Sequence, residues 1–97
     1  MGYKKYGEAL KNYSEALERY EEALKIDEQL GDLSGKAIDL NNIGQIYKAK
    51  GNYPEALKLF KETLEIQSRL GDKAGQAMTN WWLGTIYNET NEKRSAL

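Results

Sequence analysis

The tripeptide Leu30-Gly31-Asp32 returns as Leu70-Gly71-Asp72, and this shift of forty residues organises the chain. A repeat period of 20–50 residues is typical of folds built from stacked helical or strand units. Applied along the sequence, the same shift pairs Asn12-Tyr13 with Asn52-Tyr53, Glu15-Ala16-Leu17 with Glu55-Ala56-Leu57, Tyr20 with Phe60, Gly44 with Gly84, and Ile46-Tyr47 with Ile86-Tyr87. The sequence therefore predicts a repeat architecture.

The central repeat contains two helical patterns separated by a turn signal. Apolar and small residues at positions 37, 40, 43, 44 and 47 follow the period of an α-helix, which we expect at about residues 33–50. Asp32 is a favourable N-cap, and Gly51 suits the left-handed position after a helix end. Pro54 fits the first turn of a second helix, which Gly71 ends.

The two ends of the chain depart from this pattern. Tyr-x-Glu-Ala-Leu patterns at seven-residue spacing, without a Gly-x-x-Pro break, predict one long helix from about Tyr3 to Leu30. After Asp72 we expect a helix that ends near Glu89, with residues 93–97 starting another. The prediction is one all-α domain over residues 1–97 with about four helices, divided into a long first helix (1–31), a full repeat (32–71) and a partial repeat (72–97).

Composition excludes several kinds of chemistry. The 97 residues include no cysteine and no histidine, so disulfides, thiolate nucleophiles and the commonest metal ligands are absent. The net charge of −1 gives no basic excess for nucleic acid, and no apolar run is long enough for a membrane span. Acid pairs such as Glu21-Glu22 fall on the solvent side of a helix. We expect a soluble cytoplasmic protein with no enzymatic activity, cofactor, metal, nucleic-acid or membrane partner.

Asn42-Ile43-Gly44-x-x-Tyr47 followed by Gly51-Asn52-Tyr53-x-x-Ala56 and Phe60 resembles the tetratricopeptide repeat. That family forms a right-handed α–α superhelix of antiparallel helix pairs. The first helix of each pair carries a small residue that lets the second helix approach closely, and Gly44 and Gly84 match this residue. The second helix carries an alanine, matched by Ala16, Ala56 and Ala96. The forty-residue length with a Leu-Gly-Asp joint is similar to the subclass found in kinesin light chains and in scaffolds with G-protein-regulatory motifs.

The resemblance implies a scaffold that binds a protein or peptide in a concave groove lined by the first helix of each repeat. The side chains on that face are Ile38, Asn41, Asn42, Gln45 and Lys48, and one repeat later Met78, Trp81, Trp82, Thr85 and Asn88. Amide side chains can donate to and accept from a peptide backbone. Asn42 matches the family asparagine two residues before the glycine. The alternative is that Asn41 and Asn42 are solvated groups and Lys48 a surface charge.

A second interpretation is self-assembly, because about three repeats are usually needed for a stable solenoid and this chain has fewer than two and a half. Both ends should expose apolar side chains, at Tyr6, Leu10 and Tyr13 on one side and at Trp81, Trp82 and Leu97 on the other. Copies could stack end to end or exchange the long first helix, giving a homo-oligomer. The adjacent tryptophans point about 100° apart on a helix, so they should have different surroundings. The remaining alternative is a monomeric fragment of a longer protein.

Overall fold

A computed structural model shows four α-helices, each packed against the next along the chain. The structure describes the backbone of residues 2–96 and the side chains of residues 11–91. Helix α1 spans Gly2–Leu30, α2 Leu33–Ala49, α3 Tyr53–Leu70 and α4 Lys73–Ala96. Residues 2–96 contain no strand, so the predicted all-α helical repeat fold is confirmed.

The joints between helices are short because local signals start and end each helix. Oδ1 of Asp32 accepts a hydrogen bond from the Gly35 N–H at 2.9 Å, and Asp72 caps Gly75 in the same way. Gly71 takes a left-handed conformation with a φ of 69°, which residues with a side chain rarely adopt. The predicted N-cap at Asp32 and helix end at Gly71 are therefore confirmed.

Helix α1 is continuous, as the seven-residue spacing predicted, but α4 is longer than expected. Instead of ending near Glu89, it runs on to Ala96, so the separate helix expected over residues 93–97 is wrong. No glycine or proline lies between residues 88 and 93 to take the backbone out of the helical conformation. The Thr90 hydroxyl also donates to the Ile86 carbonyl at 3.1 Å, a bond that threonine can make within a helix.

Two apolar clusters form the core, and both include side chains of α3. The first contains Ala37, Leu40, Ile43, Leu59 and Ile66, with Leu17, Tyr20, Leu24 and Tyr47 packed against it. The second contains Ala56, Phe60, Leu83 and Ile86, with Tyr47, Tyr53, Leu57, Leu64 and Trp82 packed against it. Because Tyr47 contacts both clusters, the core is continuous through the pair formed by α2 and α3.

Gly44 allows α2 and α3 to approach each other closely. A methyl group on Gly44 would lie 2.9 Å from Cε1 of Phe60, and the Phe60 ring is fully buried, so it has little room to move. A methyl group on Gly84 would meet no atom of another element within 4 Å. Gly84 matches the family's small residue in sequence, but no helix among the described residues packs against it, because α4 continues to Ala96.

These two glycines make a matched pair of substitutions. Gly44→Ala should lower the free energy of unfolding by about 1–3 kcal/mol, because the added methyl overpacks the core against Phe60. Gly84→Ala should leave it unchanged or raise it by up to about 1 kcal/mol, because alanine favours the helix. Urea denaturation of both variants at low micromolar protein concentration measures the difference. Equal effects of the two substitutions would contradict the close approach at Gly44.

Asp39 is a buried carboxylate between α1 and α2, with Oδ2 lacking a hydrogen-bond partner among the described residues. Burial raises the pKa of Asp39 to about 6, and the hydrogen bond to Asp27 and the charges of Asp27 and Asp32 add to this shift. One repeat later, the Thr79 hydroxyl donates to Oε1 of Gln67 at 2.7 Å. Asp39 and Asp27 occupy the equivalent positions, where two carboxylates can form that bond only when one holds a proton.

Asp39→Thr should therefore stabilise the protein near neutral pH. Because the pKa is higher in the folded state than in the unfolded chain, the stability that Asp39 contributes is present at about pH 4 and is lost as the pH rises through about 6. At pH 7 the variant should gain on the order of 1–3 kcal/mol over the original protein, and the gain should shrink towards pH 4. Thermal unfolding between pH 4 and 8 tests this, with the exposed Glu28→Gln as control; a gain independent of pH would refute the assignment.

Candidate functional site

A groove of about 290 Å³ separates α2 from the start of α4, and we call it the α2–α4 groove. Gln67 and Leu70 at the end of α3 close one side of it. Its other lining residues are Ser34, Ala37, Ile38, Asn41, Asn42, Gln45, Asp72 and Met78. The groove thus brings together five of the ten residues expected to bind a peptide, namely Ile38, Asn41, Asn42, Gln45 and Met78.

The α2–α4 groove combines exposed apolar side chains with an ordered amide pair. Ile38 and Met78 are 59% and 60% exposed, so both present apolar surface to the groove. Nε2 of Gln45 donates a hydrogen bond to Oδ1 of Asn41 at 2.7 Å, an interaction typical of residues four apart on a helix. This bond uses the Asn41 oxygen, so the Asn41 amide group keeps its donors and Gln45 its oxygen for a peptide backbone.

The two tryptophans occupy different environments, as their helical spacing requires. Trp82 is half-buried and its ring stacks on Phe60 with centroids 6.0 Å apart, which ties α4 to α3. Trp81 is 60% exposed and meets the Trp82 ring edge to face at 4.8 Å. With Ala74, Ala77 and Met78, the two rings line a second cavity of about 430 Å³. Because Met78 lines both cavities, they form one continuous surface along α4.

Lys48 is engaged in a contact between repeats. Its Nζ lies 3.2 Å from Oε1 of Glu89 on α4 and 5.7 Å from the centre of the Trp82 ring. The Tyr53 hydroxyl donates to the other oxygen of Glu89 at 2.5 Å, and this bond to a carboxylate, with partial burial and the carboxylate charge, raises the pKa of Tyr53. Lys48 and Tyr53 therefore position α4 against the central helix pair, and Lys48 does not line the α2–α4 groove.

The last two residues expected to bind a peptide, Thr85 and Asn88, also lie outside the linings of both cavities. The Thr85 hydroxyl donates to the Trp82 carbonyl at 2.7 Å, within its own helix, and Asn88 is exposed. Their role in binding stays a prediction. The structure thus separates the five expected residues that line the α2–α4 groove from Lys48, Trp82 and Thr85, which make contacts within the protein.

A third cavity, of about 410 Å³, lies between α1 and α2, and we call it the α1–α2 cavity. Its lining contains Tyr13, which was expected to be exposed at one end of the chain, together with Asn12, Ala16, Tyr20, Asn42, Gln45 and Ile46. Sequence reasoning did not assign Ala16 or Tyr20 to any surface site. The signal was available, because the forty-residue shift maps them onto Ala56 and Phe60, which are fully buried.

The remaining expected contact residues at the chain ends, Tyr6, Leu10 and Leu97, and the repeat alanine Ala96, lie outside the described side chains. Among the residues that the structure does describe, no cluster of three or more acidic side chains could hold a metal ion. No helix within residues 2–96 is both long and apolar enough to cross a membrane.

Comparison with protein-family models gives two overlapping matches to one family. A family model described as Tetratricopeptide repeat matches residues 6–69 and, overlapping it, residues 37–97. The two matches together extend over α1 to α4. Among curated proteins no match is found.

Proposed function

The chain belongs to the tetratricopeptide repeat family, whose members generally mediate protein–protein interactions, and we propose that it is a non-catalytic scaffold that binds a peptide or helix in the α2–α4 groove. The observation that carries this proposal is the combination of exposed Ile38 and Met78 with the ordered pair Asn41 and Gln45. Apolar side chains supply the area for binding, and amides supply hydrogen bonds for an extended backbone.

Trp81 extends this surface and is the best candidate for a dominant contact. Its ring is mostly exposed and rests edge to face on Trp82, which Phe60 holds in place. A large ring that is already ordered loses little conformational freedom on binding, and tryptophan is enriched among residues that dominate interface energies. Trp81 and Met78 together therefore extend the apolar part of the proposed binding surface along α4.

We also propose the finer assignments of subclass and organisation. The two Leu-Gly-Asp joints forty residues apart support membership in the subclass similar to kinesin light chains and G-protein-regulatory scaffolds. The unbroken helices α1 and α4 support a division into a long first helix, a full repeat and a partial repeat at residues 1–31, 32–71 and 72–97.

A second candidate function is self-assembly through the terminal helices. The specific observation in its favour is that Gly84 and Tyr87 on α4 are exposed, whereas their counterparts Gly44 and Tyr47 on α2 are covered by α3. Both functions involve α4: peptide binding uses Met78 and Trp81, and self-assembly uses Gly84 and Tyr87.

Selection from a displayed library of random peptides tests the binding proposal. Peptides that bind the original protein should lose at least about tenfold in affinity with Trp81→Ala, the effect of removing a dominant interface contact. Asn41→Ala should cost several-fold through lost hydrogen bonds. Both residues are accessible, so the fold should persist, which circular dichroism checks. Lys58→Ala, an exposed change on α3, is the control.

If every selected peptide bound the Trp81 and Asn41 variants and the original protein equally well, or if the library gave no binder, neither the α2–α4 groove nor the adjoining Trp81 surface would be a peptide site.

A further inference from the structure

Helix α4 carries an exposed stripe that has a buried equivalent in the same chain. Ala77, Asn80, Gly84 and Tyr87, which we call the α4 stripe, lie at spacings of three, four and three residues and are all exposed. Forty residues earlier, Ala37, Leu40 and Gly44 are buried and Tyr47 is half-buried, because α3 packs over them. No described helix packs over the α4 stripe. Helix α4 therefore has the packing face of a first helix without a second helix over it in the described part of the chain.

Helix α1 has the opposite deficiency. The forty-residue shift relates it to α3, the second helix of a pair, and the α1–α2 cavity is the place where no described first helix packs against it. Adding forty to the number of each residue that lines this cavity gives the equivalent surface one repeat later, which consists of Asn52, Tyr53, Ala56, Phe60, Trp82, Thr85 and Ile86. On that equivalent surface Tyr47 packs and Gly44 lies against the Phe60 ring, so α2 fills it. Since α4 is the repeat equivalent of α2, the α1–α2 cavity has the surface that should accept a helix like α4.

We propose that α4 of one copy fills the α1–α2 cavity of the next copy, in the register that places Gly84 against Tyr20 of that copy. This rests on self-assembly, the second candidate function, and adds the two surfaces and their register. The contact between Gly84 and Tyr20 repeats the one between Gly44 and Phe60, with a tyrosine ring in place of phenylalanine. The exposed face of Gly84 then receives the ring that it lacks in a single copy.

Where the α2–α3 pair has an apolar residue on each helix, the proposed contact between copies has a polar residue on each helix, which supports this register. Leu40 and Leu59 lie in one apolar cluster of the α2–α3 pair, and their equivalents across the proposed contact are Asn80 and Arg19. An apolar pair is thus matched by a pair that can form a hydrogen bond.

The ion pair of the central repeat has an equivalent as well. Lys36 and Glu62 approach to 3.7 Å between α2 and α3. The corresponding residues across the proposed contact are Gln76 and Glu22, an amide donor and a carboxylate acceptor. Neither the pair Asn80 and Arg19 nor the pair Gln76 and Glu22 places like charges opposite each other.

Chain course and charge favour a second copy as the occupant. Helix α4 continues to Ala96 where α2 turns back at Gly51, so the described residues do not fold back over the α4 stripe. Residues 1–32 hold five bases and eight acids, for a net charge of −3, and residues 73–96, which form α4, hold three bases and two acids, for +1. Contact between unlike ends is therefore favoured over contact between like ends at low salt. Such a head-to-tail contact leaves one free surface at each end and can be extended by further copies.

Gly84→Leu separates assembly from folding. In a single copy the new side chain points into open space, so unfolding at low concentration should not be impaired. In the assembly the side chain would occupy the place of the Tyr20 ring and should weaken association at least tenfold, measured by sedimentation equilibrium. Unchanged association in this variant would overturn the proposal.

Cross-linking tests the register directly, since the chain has no cysteine of its own. Tyr20→Cys and Gly84→Cys variants, mixed and treated with a short bismaleimide, should give a covalent heterodimer, and neither variant alone should give a dimer. Tyr20→Cys mixed with Met78→Cys, on the groove side of α4, is the control.

Sedimentation of the original protein distinguishes the two possible failures. A monomer throughout the micromolar to millimolar range would overturn self-assembly and the register together. If the protein associates but the Tyr20 and Gly84 variants cross-link no more than the Met78 control, the register is wrong and self-assembly remains supported. The same conclusion follows if either variant alone gives a cross-linked dimer. Association together with the heterodimer is the result that the proposal predicts.

Discussion

The contact between the Phe60 ring and Gly44 determines how the rest of the chain packs. The ring is fully buried only because Gly44 has no side chain, which allows α3 to lie close to α2. On its other side the same ring stacks on Trp82, and so fixes α4. One side chain on α3 thus connects three helices, and the cluster around it contains the fully buried Ala56 and Ile86. The groove exists because these contacts hold α2 and α4 side by side.

The same constraint explains why the two ends differ from the centre. A helix pair of this kind needs a small residue on one helix and a ring on the other, and the centre has both. At one end α4 has Gly84 without a ring, and at the other α1 has Tyr20 without a glycine-bearing helix. Asn42 and Gln45 line both the α2–α4 groove and the α1–α2 cavity, and Ala77 of the α4 stripe lines the cavity beside Met78 and Trp81. Peptide binding and assembly therefore share some of their residues.

Much of the fold could be predicted because caps and periodicity are local. Asp32 and Gly71 mark helix boundaries through their own backbone bonds, and the structure confirms both. The course of α4 was missed because Thr90 and its neighbours weaken a helix without breaking it. The engagement of Lys48 with Glu89 was missed because these residues are 41 positions apart and meet only through the angle between α2 and α4. A repeat pattern shows which face of a helix is built for packing, but not whether a partner helix is present.

Hydrogen exchange at two protein concentrations tests most directly whether the centre is a complete helix pair and the ends are half pairs. At low concentration the amides of α2 and α3 should exchange most slowly, through global unfolding, and those of α4 faster. Raising the concentration should slow exchange in α4 and in residues 13–30 of α1 more than in the central pair, as each gains a covering helix. Equal protection of α4 and α2 in the dilute protein, or no change in α1 and α4 with concentration, would contradict this account.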